Sequence, residues 1–230
     1  MAGRCFLATF RPLVRTVAGR TAAQRYGLPP FIDGSCRREP DFESLFPSIT
    51  ATCRGGNFAP RLQVEDRVAY LTVKGKYTGD KVYGWRLVAV LRVCQRFSEH
   101  KDAVRWYTEQ GCPLPSNCLA GDNSPKPWEV TNGDPPAEVK KRVNATSDPN
   151  LAIRLWDATY RRRVTECPVF LATKSEFLDL VSPPQLRERE IVEVFGKVPA
   201  TLNPPEISCE RLERLLALAT IRSTTSVDMG

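Results

Sequence analysis

The spacing of apolar and polar residues changes character several times along the chain, and each change marks an element. Residues 4–10 (RCFLATF) have the pattern of a short strand. A basic stretch, 11–30, follows and closes on Pro29-Pro30. Between 31 and 62 there is little periodicity and much Gly, Pro, Ser and Arg, which reads as a long loop. Its aromatics, Phe31, Phe42, Phe46 and Phe58, predict that the loop is ordered, and a loop of that length in a compact domain is commonly functional. Residues 67–74 (RVAYLTVK) carry apolar side chains on both faces, as a buried barrel strand does, and 85–97 (WRLVAVLRVCQRF) is a long β-branched run. The turn residues 76–80 (KYTGD) join them as an antiparallel hairpin.

The helical period then takes over. Ser98 is a suitable N-cap, Gly111 a suitable stop, and Ala103, Val104, Trp106 and Tyr107 form an apolar face between them. A second Pro-rich loop covers 112–130, and 131–149 is polar throughout. Residues 151–163 predict a helix with Leu151, Leu155, Trp156 and Tyr160 as candidate buried positions. Residues 168–173 and 176–180 read as strands, and Pro183-Pro184 opens a helix to Phe195 that stops at Gly196. Ser208 caps a last helix, Ile207 staples against Leu212, and Leu212, Leu215, Leu216 and Ala219 are its buried stripe. This order predicts one α+β domain spanning 1–230. Its core covers about 4–120 and 165–182, with a surface insertion at about 125–150 and a helical C-terminal region at 183–222.

Composition alters this picture little. The chain is 42% hydrophobic and 26% charged, an ordinary globular balance. The net charge of +7 points to a polyanionic partner, and arginine offers a planar fork that suits phosphate. The first 32 residues contain Arg4, Arg11, Arg15, Arg20 and Arg25 and no acid, which also resembles a targeting segment. No stretch reaches the roughly 18 apolar residues of a membrane span. The eight cysteines form no CxxC pair and only one histidine, His100, accompanies them, so no metal and no cofactor is predicted. Without a secretion signal, the expectation is a cytoplasmic protein with free thiols.

Enzyme signatures are missing from the sequence: it has no P-loop, no GxGxxG after a strand, no HExxH and no GxSxG. His100 beside Glu99 at a helix start reads as a capping or surface residue, and no catalytic residue is assigned.

The segments VEDRVAYLTVKGKY, GWRLVAVLRVCQRFSEHKDAVRWY and PLPSNC, together with FIDGSCRREPDFES and FAPRL, resemble the PUA-like superfamily. Within it, the chain is similar to the EVE and ASCH branch and to the nucleotide-modification-associated domains. It departs from that pattern at Glu65-Asp66, where Gly-Asp is usual. The resemblance implies a PUA-like, partly open β-barrel with flanking helices that binds DNA or RNA and reads a modified or flipped-out base. Arg37, Arg38, Arg54 and Arg61 would meet phosphates or stack on the base, Phe58 or Tyr70 would give a stacking face, and Asn117 a base-edge contact, with Ser116 and Lys74 beside it. Two alternatives stand beside this reading. One is an enzyme of nucleic-acid or nucleotide metabolism on an ASCH-like scaffold, using Lys74 and carboxylates. The other is a protein-interaction or defence-system component docking through its C-terminal helices.

Overall fold

A computed structural model describes residues 3–52, 56–123, 126–133, 151–201 and 203–227. It is a mixed α and β structure built on one open sheet of seven strands. The strands are β1 (Cys5–Phe10), β2 (Ser48–Thr50), β3 (Arg67–Thr72), β4 (Trp85–Phe97), β5 (Phe170–Leu178), β6 (Gln185–Leu186) and β7 (Glu206–Ile207). Their order is β2-β5-β4-β3-β1-β7, with β6 pairing β4 outside that path. The predicted hairpin forms as β3 against β4, Val68 facing Leu91 and Tyr70 facing Ala89. β1 runs parallel to β3, Phe6 beside Val68 and Ala8 beside Tyr70. The two short strands expected at 168–180 are one continuous strand, β5, because β4 is long enough to pair along nearly all of it.

Alternation along the strands gives the sheet two buried faces. Phe6, Ala8, Phe10, Val68, Tyr70, Leu91 and Leu171 point to one face, where Phe31, Phe42, Ile49, Phe58 and Leu62 of the long loop cover them. Cys5, Leu7, Ala69, Leu71, Leu87 and Val90 point to the other. There the cover is helical: α4 (Glu188–Phe195) supplies Ile191, Val194 and Phe195, and α5 (Cys209–Val227) supplies Leu212, Leu215 and Ala219. The predicted stripe of the last helix is therefore a packing face, with Leu216 at its margin. Gly196 ends α4 in the left-handed conformation, with φ of 77°.

α2 (His100–Glu109) starts one residue later than the Ser98 cap predicts, with Glu99 at the cap position, and packs Ala103 and Tyr107 against Phe170 and Ala172. α3 (Leu151–Glu166) buries Tyr160 and leaves Leu151 and Leu155 half-exposed. The greater part of the polar insertion, 134–150, lies outside the described residues. The basic stretch holds a helix that the pattern did not announce, α1 (Val17–Tyr26). Thr16 caps it by accepting from the Gly19 N–H at 3.0 Å, and Gly27 closes it at φ 61°. Gly19 is required there: a Cβ would lie 1.7 Å from the Leu13 carbonyl oxygen.

The expectation of free thiols needs correction. Cys5 and Cys209 form a disulfide that joins β1 to the first turn of α5. Cys36, Cys94, Cys112, Cys118 and Cys167 are free.

Candidate functional site

The loop that the sequence marks as functional turns its polar side chains inward. Arg38 has no solvent exposure and a positive φ of 48°. Its Nε donates to Glu43 at 3.0 Å, Nη1 to the Asp33 carbonyl at 2.9 Å and to the Ser35 carbonyl at 3.2 Å, and Nη2 to the Val130 carbonyl at 2.7 Å. Arg37 stacks on the Tyr160 ring, 4.8 Å from its centre, and donates to the Tyr160 hydroxyl. The residue that follows them is a buried carboxyl. Glu39 accepts from the Thr50 N–H at 2.9 Å and from the Thr50 and Thr52 hydroxyls. Burial pushes its carboxyl up to about 7, against the opposing pull of the Thr50 hydrogen bonds and Arg37.

The Pro-Ser-Asn loop is fastened to the same segment. Ser116 donates twice to the Asp41 carboxylate, from its N–H at 2.8 Å and its hydroxyl at 2.7 Å. Asn117 accepts from the Ser48 hydroxyl at 2.6 Å and donates to the Arg38 carbonyl at 3.2 Å. Tyr70 is 1% exposed and lies edge-on between Phe10 and Phe42. Phe58 is buried edge-on against Phe6. Tyr70, expected to offer a stacking face, is thus enclosed by the protein's own rings. His100 is also structural. Its Nδ1 accepts from the Leu119 N–H at 3.2 Å, its ring meets Phe170, and burial lowers it to about 4.

Of the nine residues assigned from sequence, the eight that are described do not converge. Arg37, Arg38, Ser116, Asn117 and Tyr70 hold the loop and the core together. Lys74 lies on the surface, 2.5 Å from Glu188 and 5.1 Å from the centre of the Trp85 ring. Arg54 lies outside the described residues. Among the described ones, Phe58 and Arg61 share a cleft of about 230 Å³ with Asn57, Asn203 and Pro204. Arg61 itself is held over Phe6, 5.5 Å from the ring centre.

A different place gathers cations. Arg15, at the end of the turn before α1, Arg20, on α1, and Lys76, on the β3–β4 hairpin, line a cleft of about 270 Å³. Val14, Tyr77 and Thr78 complete the lining, and no carboxylate contributes to it. All three cationic side chains are exposed, and among the described residues none of them makes an ion pair. The nearest acid on the hairpin, Asp80, is already engaged: it accepts from the Tyr77 N–H at 2.9 Å and pairs with Arg86.

Both walls of this cleft are held in place. The hairpin is closed by paired backbone hydrogen bonds between Gly75 and Gly84, at 2.8 and 2.9 Å. The Tyr77 hydroxyl donates to the Val73 carbonyl at 2.7 Å, and the Tyr77 ring lies so near Gly75 that a Cβ there would meet it at 3.1 Å. On the other wall, Gly19 lets α1 close down on the turn that carries Arg15. A larger groove, of about 740 Å³ beside Phe42, Leu45 and Leu178, is mainly apolar and includes the Glu43 carboxylate. The basic cleft therefore has the chemistry for an anion, and the sequence signal for it was the acid-free run of arginines before Asp33.

No known family model, characterised protein or solved structure matches the chain. Among the described residues, no helix is long and apolar enough to cross a membrane, and no group of three acidic, histidine or cysteine side chains is placed to hold a metal ion.

Proposed function

We propose that this protein is a nucleic-acid-binding module of the PUA-like type, and that Arg15, Arg20 and Lys76 meet the phosphates. The observation that carries the proposal is the acid-free cleft with its three exposed cations. Arginine presents a fork of donors that matches two phosphate oxygens, and lysine a compact charge. The two elements that wall the cleft carry further exposed cations, Arg25 on α1 and Lys81 on the hairpin.

Two features support the PUA-like part. The resemblance implies a partly open β-barrel with flanking helices, and an open mixed sheet with helices packed on it is compatible with that. Glu65 adopts φ of 73°, a left-handed conformation, at the position where the resembling domains carry Gly. A base edge would meet Asn57 and Asn203 beside Arg61, in the cleft that also holds Phe58.

The test is a salt titration of binding to a single-stranded oligonucleotide. Three phosphate contacts give a slope of log K on log salt of about −2, at roughly −0.7 per contact. The triple variant Arg15→Ala, Arg20→Ala, Lys76→Ala loses that slope, whereas Arg61→Ala leaves it nearly unchanged. No binding by the folded wild type at about 50 mM salt, where phosphate contacts are strong, rejects the function. A triple variant that keeps the full slope moves the interface elsewhere.

A further inference from the structure

We infer that the cleft between α1 and the β3–β4 hairpin takes a phosphomonoester, the terminal phosphate of a nucleic-acid strand, in preference to an internal phosphodiester. This rests on the polyanion reading above and names the group that the cleft selects.

The inference comes from the number and placement of the charges. A phosphodiester within a strand carries one negative charge and has two oxygens free to accept hydrogen bonds. A phosphomonoester carries about −1.5 to −2 at neutral pH and has three. The cleft presents three cationic groups around a single cavity, Arg15 and Arg20 from one wall and Lys76 from the other. Cations that serve a continuous backbone are best spread along a track, one for each phosphate. Here they converge on about 270 Å³, a space suited to one phosphate and the first atoms of its sugar. The surroundings keep that charge concentrated. No acid lines the cavity, and both Asp80 oxygens are used by Tyr77 and Arg86.

The walls are fixed before any ligand arrives. Gly75 and Gly84 close the hairpin that carries Lys76, and the buried Tyr77 ring backs it. Arg20 donates to the Val14 carbonyl at 3.3 Å, which keeps its guanidinium near the Arg15 side of the cavity. With the backbone walls already fixed, only the side chains remain to be ordered on binding, and the ligand with the most charge and acceptors best offsets that cost.

The experiment is fluorescence anisotropy at about 50 mM salt with one short single-stranded DNA sequence in three forms: 5′-phosphorylated, 3′-phosphorylated and unphosphorylated. Adenosine monophosphate and inorganic phosphate serve as competitors. At least one phosphorylated form should bind about tenfold more tightly than the unphosphorylated one, a preference worth about 1.4 kcal/mol. Lys76→Ala and Arg15→Ala should each remove most of that preference while the unphosphorylated form loses less. Lys76→Glu, a charge reversal on an exposed hairpin position, should abolish it. Competition by the mononucleotide as strong as by the phosphorylated strand keeps the phosphomonoester and makes a free nucleotide its source. Equal affinity for all three forms, falling equally in the variants, overturns the inference and leaves the polyanion reading intact. Failure of every oligonucleotide to bind removes both.

Discussion

The Arg38 guanidinium, wholly shielded from solvent, donates from Nε to the Glu43 carboxylate at 3.0 Å. The pair fixes the loop that covers one face of the sheet, and the same guanidinium spends its remaining donors on three backbone carbonyls. Removing one partner of a buried, hydrogen-bonded charge leaves the others unsatisfied.

Arg38→Ala should therefore destabilise the protein by about 3 kcal/mol or more, read as a fall in the urea midpoint with little change in slope. Glu43→Gln, which keeps an acceptor and sits at a more exposed position, should do less harm. Oligonucleotide affinity of the folded Arg38→Ala protein should stay within about twofold of wild type, since only a surface cation meets phosphate directly. A well-folded variant that has lost binding would return this loop to the interface.

Glu39 makes a prediction about pH. Its carboxyl is raised from an ordinary 4.5 to about 7, so the native state holds a proton that the unfolded chain releases between those values. Stability from this group is thus present below about 4.5 and is lost as pH rises toward 7, by about 1.4 kcal/mol per pH unit. His100 acts in the opposite sense. Lowered from 6.5 to about 4, it stays neutral in the native state while the unfolded chain takes up a proton, so stability rises with pH across that window. The two slopes oppose each other between about 4.5 and 6.5. Glu39→Gln, which keeps the shape and satisfies Thr50 and Thr52, should remove the falling limb and stabilise the protein at pH 8 on the order of 3 kcal/mol. Below pH 6.5 the stability of the variant should then rise with pH more steeply than that of the wild type. Urea melts of both proteins across this range check the sign, and a variant less stable than wild type at pH 8 refutes it.

The Cys5–Cys209 bond closes a loop across 204 positions of sequence. It anchors α5 where Leu212, Leu215 and Ala219 pack on the sheet. Reduction, or Cys209→Ser, should lower stability by about 2–4 kcal/mol and speed amide exchange in α5 and β7 before the rest of the sheet. The Cys209 side is exposed and open to reductant, whereas Cys5 is buried. A thiol titration of the denatured protein that finds Cys5 and Cys209 free without reductant would refute the bond.

Glu65 holds a left-handed backbone, φ 73°, in the turn before β3, and its carboxylate meets Arg92 at 2.8 Å. Glu65 is exposed and Arg92 half-buried, so that ion pair is worth at most about 1 kcal/mol. The left-handed conformation costs a residue with a Cβ about 1–2 kcal/mol. Glu65→Gly should accordingly be neutral or stabilising by up to about 1 kcal/mol, in contrast to the loss expected of glycine at an extended position. Thermal unfolding of Glu65→Gly beside Gln63→Gly tests the contrast.

Much of the framework was legible because it depends on neighbours in sequence. The apolar, β-branched runs at 4–10, 67–74 and 85–97 became β1, β3 and β4, since a short apolar run bounded by turn residues specifies a buried strand locally. Gly196 stopped its helix as expected, since only a residue without a Cβ adopts that φ freely. Other features were not legible. α1 lacks a strong apolar stripe, burying only Gly19 and Ala22, so its helical period is faint and its arginines read as a targeting segment. The parallel pairing of β1 with β3 spans a long connection whose packing no local pattern encodes.

Patterning and composition by themselves determined an α and β protein with an arginine-rich, net basic surface and a covered hairpin. Only the tertiary structure decided which arginines face solvent. Arg38 is drawn inside because its partners come from 5 and from 92 positions away and together satisfy it. Arg15, Arg20 and Lys76 are left outside because the residues folded around them are apolar, hydroxyl or already paired. The physical reason is that a buried charge needs several well-placed acceptors, and acceptors brought from distant parts of the chain exist only once it has folded.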